Sequence, residues 1–253
     1  MGGRIDVYID LASLYSYIAL VQLLKTQDLL RQHSVEVEIH PVLLGAINAA
    51  SGNKPPWTLP AKAAYGTHDS RRSLSSVGLG ADVSPPGDLM EAGKTQLPLR
   101  ALHFVKARYP ADTYLATWRH LLRAFWTLHE PPNTPAALAK ALADVPATTP
   151  GGGEEEEGKR LFTADDVDRI VRAAAEPAYK DALRRATEEA QQRGAFGAPW
   201  LWVTNAATGR SEPFFGSDRW HHVYEFLGLP YQDVALLPPP GSEKEKGVRA
   251  SKL

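Results

Sequence analysis

Gly194-Ala195-Phe196-Gly197-Ala198-Pro199-Trp200-Leu201-Trp202-Val203 sets a glycine-punctuated turn ahead of an apolar strand, with a proline at the strand's mouth. Proline has no N–H to donate, so a strand tolerates it at its first position, and X-Pro is the one peptide bond for which cis costs little. Ala198-Pro199 can therefore turn the Ala198 backbone outward to a ligand. Taken alone, it reads as an ordinary loop proline. Downstream, Trp200 to Thr204 and Glu212 to Phe215 flank the turn-rich Asn205-Ala206-Ala207-Thr208-Gly209, which predicts a hairpin. Ser217 then stands where it would cap a last helix running through Tyr224 and Leu227.

The amino-terminal end changes the weight of that loop. Ile5, Val7 and Ile9 alternate with polar or mixed residues from Arg4 to Asp10, and the alternation breaks at Ala12-Ser13. Ser13 is a favoured N-cap, and Ile18, Leu20, Val21, Leu24 and Leu29 follow at helical spacing. Val35, Val37 and Ile39 form a second alternating run that ends at His40-Pro41. Strand, helix and strand with a crossover suit parallel pairing. Together with the closing hairpin and helix, the order is that of a thioredoxin-like α/β fold.

Between these halves, apolar periodicity in Leu97–Val105, Tyr114–Leu128, Pro135–Leu142 and Val167–Ala175 predicts a large, all-helical insertion. Thr163-Ala164-Asp165-Asp166 has the form of a capping box with aspartate in the usual glutamate place, and Glu176 to Gln192 reads as a charged helix returning to the sheet. The expected organisation is a discontinuous thioredoxin-like domain, 1–59 and 194–236, with a helical domain at 60–193. Within the latter, the segment near 148–160, with Gly151 to Gly153 and Glu154 to Glu157, is expected to be a flexible acidic loop. Residues 237–253 are expected to form a flexible polar tail.

These pieces resemble the kappa-class glutathione transferases, close kin of the 2-hydroxychromene-2-carboxylate isomerases and of the DsbA oxidoreductases. The resemblance rests on Asp10-Leu11-Ala12-Ser13-Leu14-Tyr15-Ser16-Tyr17, Gly52 to Pro56 with Pro60 and Lys62, Trp118 to Trp126, Gly194 to Pro199, and Phe215 to Arg219. It implies a DsbA-like fold and glutathione as co-substrate. By that resemblance, Ser13 stabilises the glutathione thiolate, and Leu14, Tyr15, Asn53, Lys62, Ala198, Pro199, Ser217 and Asp218 line the tripeptide's site. Leu14 stands where the family usually has proline. The resemblance also implies a homodimer; the Trp118–Trp126 segment, with basic residues on one side, is a candidate for its interface, a contact the sequence alone does not show.

Composition narrows the chemistry. The chain has 253 residues, 43% of them hydrophobic, a net charge of −1 and no cysteine. That size supports a sizeable core, and the charge balance favours no nucleic-acid partner. No apolar run spans a bilayer, so a soluble, unexported protein is expected, without membrane association. Zero cysteines exclude dithiol exchange and thiolate metal sites. His120, His129, His221 and His222 lack ligand spacing, and no metal is expected.

A substrate thiol at the amino end of the Ser13 helix would meet free N–H groups and the positive end of the helix dipole, both of which favour thiolate. No Gly-x-Ser-x-Gly elbow surrounds Ser13, so no acyl-enzyme is expected. Ser217 and Asp218 suit the carboxylate and ammonium of a γ-glutamyl group; Tyr15, Trp57, Trp126 and Trp200 could wall a pocket for a small apolar electrophile, but aromatic side chains at these spacings are more often core. The leading expectation is a transferase conjugating glutathione to electrophiles, with organic hydroperoxide reduction as a further activity. The alternatives are a glutathione-dependent isomerase and a non-catalytic glutathione-binding module. Ser251-Lys252-Leu253 reads as a peroxisomal address recognised by an import receptor. The expected compartment is the peroxisome, with a cytoplasmic pool beside it.

Overall fold

The computed structural model describes residues 2–148 and 155–232. The expected tail, with its terminal tripeptide, and the glycine run at 151–153 lie outside the described residues. Strand β1 (Gly3–Ile9) leads through Ser13 into helix α1 (Leu14–Gln32), then β2 (Val35–Pro41) and α2 (Leu44–Ser51). β1 and β2 pair in parallel, from Gly3 against Val35 to Ile9 against Pro41. The chain returns to the sheet at β5 (Trp200–Asn205) and β6 (Ser211–Phe215), giving the order β2-β1-β5-β6 with β5 antiparallel to both neighbours.

Both faces of β1 are covered, which is why its alternation is apolar against mixed rather than apolar against exposed. Ile5, Val7 and Ile9 join Leu201 and Val203 beneath α1, where Ile18, Leu20 and Leu23 are buried. Tyr8 faces the other way with Trp200, Val42 and Ile47, under Ala186 and Ala190 of α9 (Pro177–Gln192). Each large apolar side chain so buried contributes roughly 2 kcal/mol.

The insertion holds α3 (Pro60–Ser76), the short α4 (Leu89–Ala92), α5 (Gln96–Arg108), α6 (Ala111–Trp126), α7 (Pro135–Ala143) and α8 (Ala164–Ala173). Thr163 and Asp166 form the reciprocal capping box at the start of α8. The insertion is not wholly helical. Strand β3 (Pro146–Thr148) pairs antiparallel with β4 (Glu155–Arg160), so much of the segment expected as an acidic loop is a hairpin arm. The sequence of β4, Glu155 to Arg160, carries no apolar alternation, and the strand is defined by its pairing with β3. The second correction is at the last helix. α10 spans Trp220–Leu227 with Arg219 at its N-cap position and no side-chain cap, so Ser217 does not cap it.

Asp6, Glu38 and His40 lie close enough together to hold a cation. They instead face protein cations. Asp6 accepts from Arg4 Nη2 at 2.8 Å and Arg193 Nη1 at 3.0 Å and lies 2.9 Å from His40 Nε2, while Glu38 pairs with Arg4 and with Lys106 Nζ at 2.6 Å. Arg4, Arg193 and Lys106 stand against these two carboxylates, and Arg4 and Arg193 are shared with Glu36 and Glu189. Burial opposes ionisation of Asp6, but hydrogen bonds from His40, Arg4 and Arg193 outweigh it and hold its carboxyl well below the usual range. A depressed carboxyl contributes stability that is present above its unfolded value near 4 and is lost as pH falls toward the folded value. Asp6→Asn is therefore expected to flatten the loss of stability below pH ~4 that chemical denaturation measures in the parent.

Candidate functional site

The site begins where β1 ends. Ser13 is extended, with φ −107° and ψ 114°, and its Oγ accepts from the Ser16 N–H, closing the amino end of α1. The backbone geometry that the sequence assigned to a cap is thus realised. The same Oγ donates to the Ala198 carbonyl at 2.8 Å, across 185 residues of chain. Ala198-Pro199 is cis. One hydroxyl consequently joins the start of α1 to the loop ahead of β5, and both are buried. In an α-helix the first N–H groups have no intrahelical partner, and here the first two belong to Leu14 and Tyr15. Leu14 supplies an N–H that a proline would lack, on a backbone whose extended Ser13 suits either residue.

Loop 194–199 is anchored at both ends. Arg193, at the C-cap position of α9, donates to the Tyr8 hydroxyl at 2.6 Å and stacks its guanidinium over the Tyr8 and Trp202 rings. Gly194 follows with φ +85°, a left-handed turn that releases the chain from the helix. Asn53 Nδ2 donates to the Phe196 carbonyl at 2.7 Å, and the Gly216 N–H donates to the Pro199 carbonyl at 3.2 Å. At Gly197 a Cβ would approach the Phe215 ring to 2.8 Å, so glycine here lets that aromatic close on the loop.

The structure therefore gathers Ser13, Ala198 and Pro199 directly and brings Asn53 to the same loop by a hydrogen bond. Ser217 and Asp218 arrive through the Gly216 contact. Ser217 is buried, and Asp218 is exposed and paired with Arg219. Tyr15 is half-buried and its hydroxyl donates to Asp69 of α3; burial, then that hydrogen bond, pushes the phenol above its ordinary range. Lys62 stands exposed in the first turn of α3, with no side-chain hydrogen bond or ion pair among the described residues. Two of the aromatic candidates do not form a wall. Trp126 is buried beneath the site, donating Nε1–H to the Leu11 carbonyl at 2.8 Å, and Trp200 is buried on the Tyr8 face of the sheet, behind the rings of Phe196 and Phe215. Trp57 is exposed, as are Phe196 and Phe215, whose rings pack 4.5 Å apart beside the loop.

Sequence reasoning passed over the group that organises these parts. Asp10 is 1% exposed, and its Oδ1 accepts from the Ala12 N–H at 3.1 Å and the Thr95 hydroxyl at 2.7 Å. Oδ2 accepts from the Leu44 N–H at 2.7 Å. The Asp10 carbonyl takes the Ser13 N–H at 3.1 Å. A carboxylate at the end of an apolar alternating strand, just before a helix start, was the available signal. Burial pushes this carboxyl up to about 6, against the pull of the hydrogen bonds from Leu44, Ala12 and Thr95.

The DSBA-like thioredoxin domain pattern matches residues 4–149 and 154–228. The glutathione S-transferase kappa 1 of Caenorhabditis elegans is 28% identical over 231 residues, covering 90% of this chain and 92% of that one. The human glutathione S-transferase kappa 1 is 27% identical over 239 residues, covering 93% and 94%. Among solved structures, a 2-hydroxychromene-2-carboxylate isomerase superimposes with a TM-score of 0.64 at 17% identity, covering 89% of this chain and 94% of that one, a likeness of fold. With that domain pattern running across the sheet, the inserted helices and the joined Ser13 and Pro199 elements, the chain belongs to the DSBA-like thioredoxin domain family.

Proposed function

We propose that this protein is a glutathione transferase that presents the glutathione thiolate to electrophilic organic molecules. The carrying observation is the Ser13 hydroxyl, set at the start of α1 and 2.8 Å from the carbonyl ahead of the cis-proline. That hydroxyl has one proton. When a sulfur takes its place as acceptor, the Ala198 carbonyl is released to accept an N–H from the ligand's backbone, so a cysteinyl residue satisfies both groups together. The Leu14 and Tyr15 N–H groups add fixed positive partial charge at the sulfur's position.

The surroundings suit a charged tripeptide. Asp218 is an acid for an ammonium, buried Ser217 offers a hydroxyl to a carboxylate, and Lys62 is a cation for the second carboxylate. In conjugation the thiolate sulfur forms the new bond to the electrophilic carbon while a leaving group departs with its electron pair, or a proton is taken up after addition. Phe196 and Phe215 offer an exposed apolar surface beside the loop for the electrophile.

Titration of the purified protein with glutathione, followed by thiolate absorbance, tests the reading: the bound thiol is expected to ionise below its free value of about 8.5. Glutathione consumed in proportion to product supports a transferase. Glutathione regenerated while a substrate rearranges makes the same site an isomerase, and binding without turnover across an electrophile panel makes it a binding module. Asn53→Ala frees the Phe196 carbonyl and slackens the loop, so it is expected to raise the KM for glutathione roughly three- to tenfold with a smaller effect on kcat. Steady-state kinetics with varied glutathione checks it.

The proposal extends to assembly and place. The family resemblance supports a homodimer, which sedimentation of the full chain tests. Ser251-Lys252-Leu253 has the form of a peroxisomal address, read when it stands at a free carboxyl terminus, and imaging the chain with and without that tripeptide tests import.

A further inference from the structure

A cavity of about 580 Å³ runs along α1, lined from Tyr17 to Gln27. Neither Ser13 nor any residue of loop 194–199 lines it. It starts about one helical turn beyond Ser13 and extends roughly 15 Å farther from the glutathione site, by the rise of an α-helix. Its volume is that of a small-molecule site rather than of a groove for a folded partner.

The two walls differ in chemistry. The α1 wall presents Leu20, Val21 and Leu24, which recur one turn apart on a single helix face. Opposite stand Arg119 and Arg123 of α6, four residues apart and so on one face, with Arg160 at the end of β4. Lys25, on α1 itself, donates from its Nζ to the Val77 carbonyl at 2.7 Å. Asp144 is the single acid in the lining among the described residues, and it lies 3.9 Å from Arg160. Among the described lining residues, three guanidinium groups face one carboxylate on this side, across from the apolar side chains of α1.

We propose that this cavity binds an amphipathic carboxylate, its apolar body against α1 and its carboxylate facing the guanidinium groups of α6 and β4. A guanidinium fork matches a planar carboxylate with two parallel hydrogen bonds, and an apolar wall without the charge complement would not select an acid. The proposal needs the charge of these side chains and not their vacancy, because a ligand carboxylate can share an arginine with another acceptor.

Decanoate is a suitable probe, with decanol and decylammonium as controls, titrated calorimetrically into the full chain. Saturable decanoate binding at one site is expected, at least tenfold tighter than either control. Arg123→Glu, on an exposed position that leaves the core intact, should weaken it at least tenfold, and Leu24→Trp should abolish it by filling the cavity. Saturating glutathione should change decanoate affinity less than twofold. A photoreactive decanoate analogue should label α1 and α6 peptides, which locates the site independently of either variant. Absent saturable binding, equal affinity for decanol, competition by glutathione, or labelling of residues 194–219 instead would each overturn the proposal.

Discussion

Ser13→Ala is expected to lower kcat/KM for glutathione conjugation roughly 10- to 100-fold at neutral pH, the loss that removing one preorganised donor to developing or full negative charge produces. The loss comes through ionisation. A thiol with pKa about 8.5 is a few per cent thiolate at pH 7, and lowering that value by about two units raises the reactive fraction roughly twentyfold. Ser13 supplies one side-chain proton, and the N–H groups of Leu14 and Tyr15 supply the rest of the field, so the variant keeps part of the effect. The variant also loses the cap contact with Ser16 and the tie to Ala198, a structural cost of about 1 kcal/mol for the cap alone. The two contributions separate by pH. Above pH ~9 glutathione is a thiolate without help, so the rate ratio between parent and variant should shrink steeply between pH 6.5 and 9.5. A ratio constant over that range would assign Ser13 a purely structural role. Ser13→Thr, which keeps a hydroxyl at the cap, should recover most of the rate at neutral pH.

How much of this was legible in the sequence depends on whether local chemistry or tertiary contact decides each element. Ser13 followed by apolar helical spacing fixed the start of α1, and the glycines before Pro199 fixed the turn into β5, because caps and turns are local. The Thr163 capping box was legible for the same reason. Ser217 misled because a hydroxyl residue ahead of an apolar periodic run looks like a cap wherever the helix actually begins. The turn through Gly216, with φ +101°, delays α10 until Trp220. The β3–β4 hairpin had no local signal, since Pro146-Ala147-Thr148 and a glutamate run show no strand alternation and their pairing is with one another. Trp126 and Trp200 are core, the reading that aromatic side chains at their spacing favour, although spacing does not reveal which side of the sheet an indole enters. Trp200 and Leu201 are adjacent and point to opposite faces.

Asp10 is where local and tertiary requirements meet, and its substitution is expected to have the larger effect on stability. Its carboxylate receives donors from three separate pieces: Ala12 in the turn before Ser13, Leu44 at the first position of α2, and Thr95 at the N-cap position of α5 in the insertion. Alanine at position 10 leaves all three donors facing a buried void. At about 1–3 kcal/mol for a buried donor left unpaired, the loss exceeds that of most single substitutions. Asparagine keeps the shape but turns an NH₂ group toward either the Leu44 N–H or the Ala12 N–H, donor against donor. Asp10→Asn is expected to cost roughly 2 kcal/mol, or about 4–8 °C in Tm for a chain of this size. The sign with pH follows from burial. The folded carboxyl titrates at about 6, above its unfolded value, so the folded state holds a proton that the unfolded state has released between about pH 4 and 6. In that window Asp10 lowers stability as pH rises, opposite in direction to Asp6, whose contribution is lost only as pH falls below about 4. The stability gap between parent and Asp10→Asn, measured by chemical denaturation, should therefore narrow from pH 4 to 6 and stay level above it. A gap independent of pH would mean that the buried carboxyl is ionised throughout, held by its three donors as firmly as water holds it in the unfolded chain.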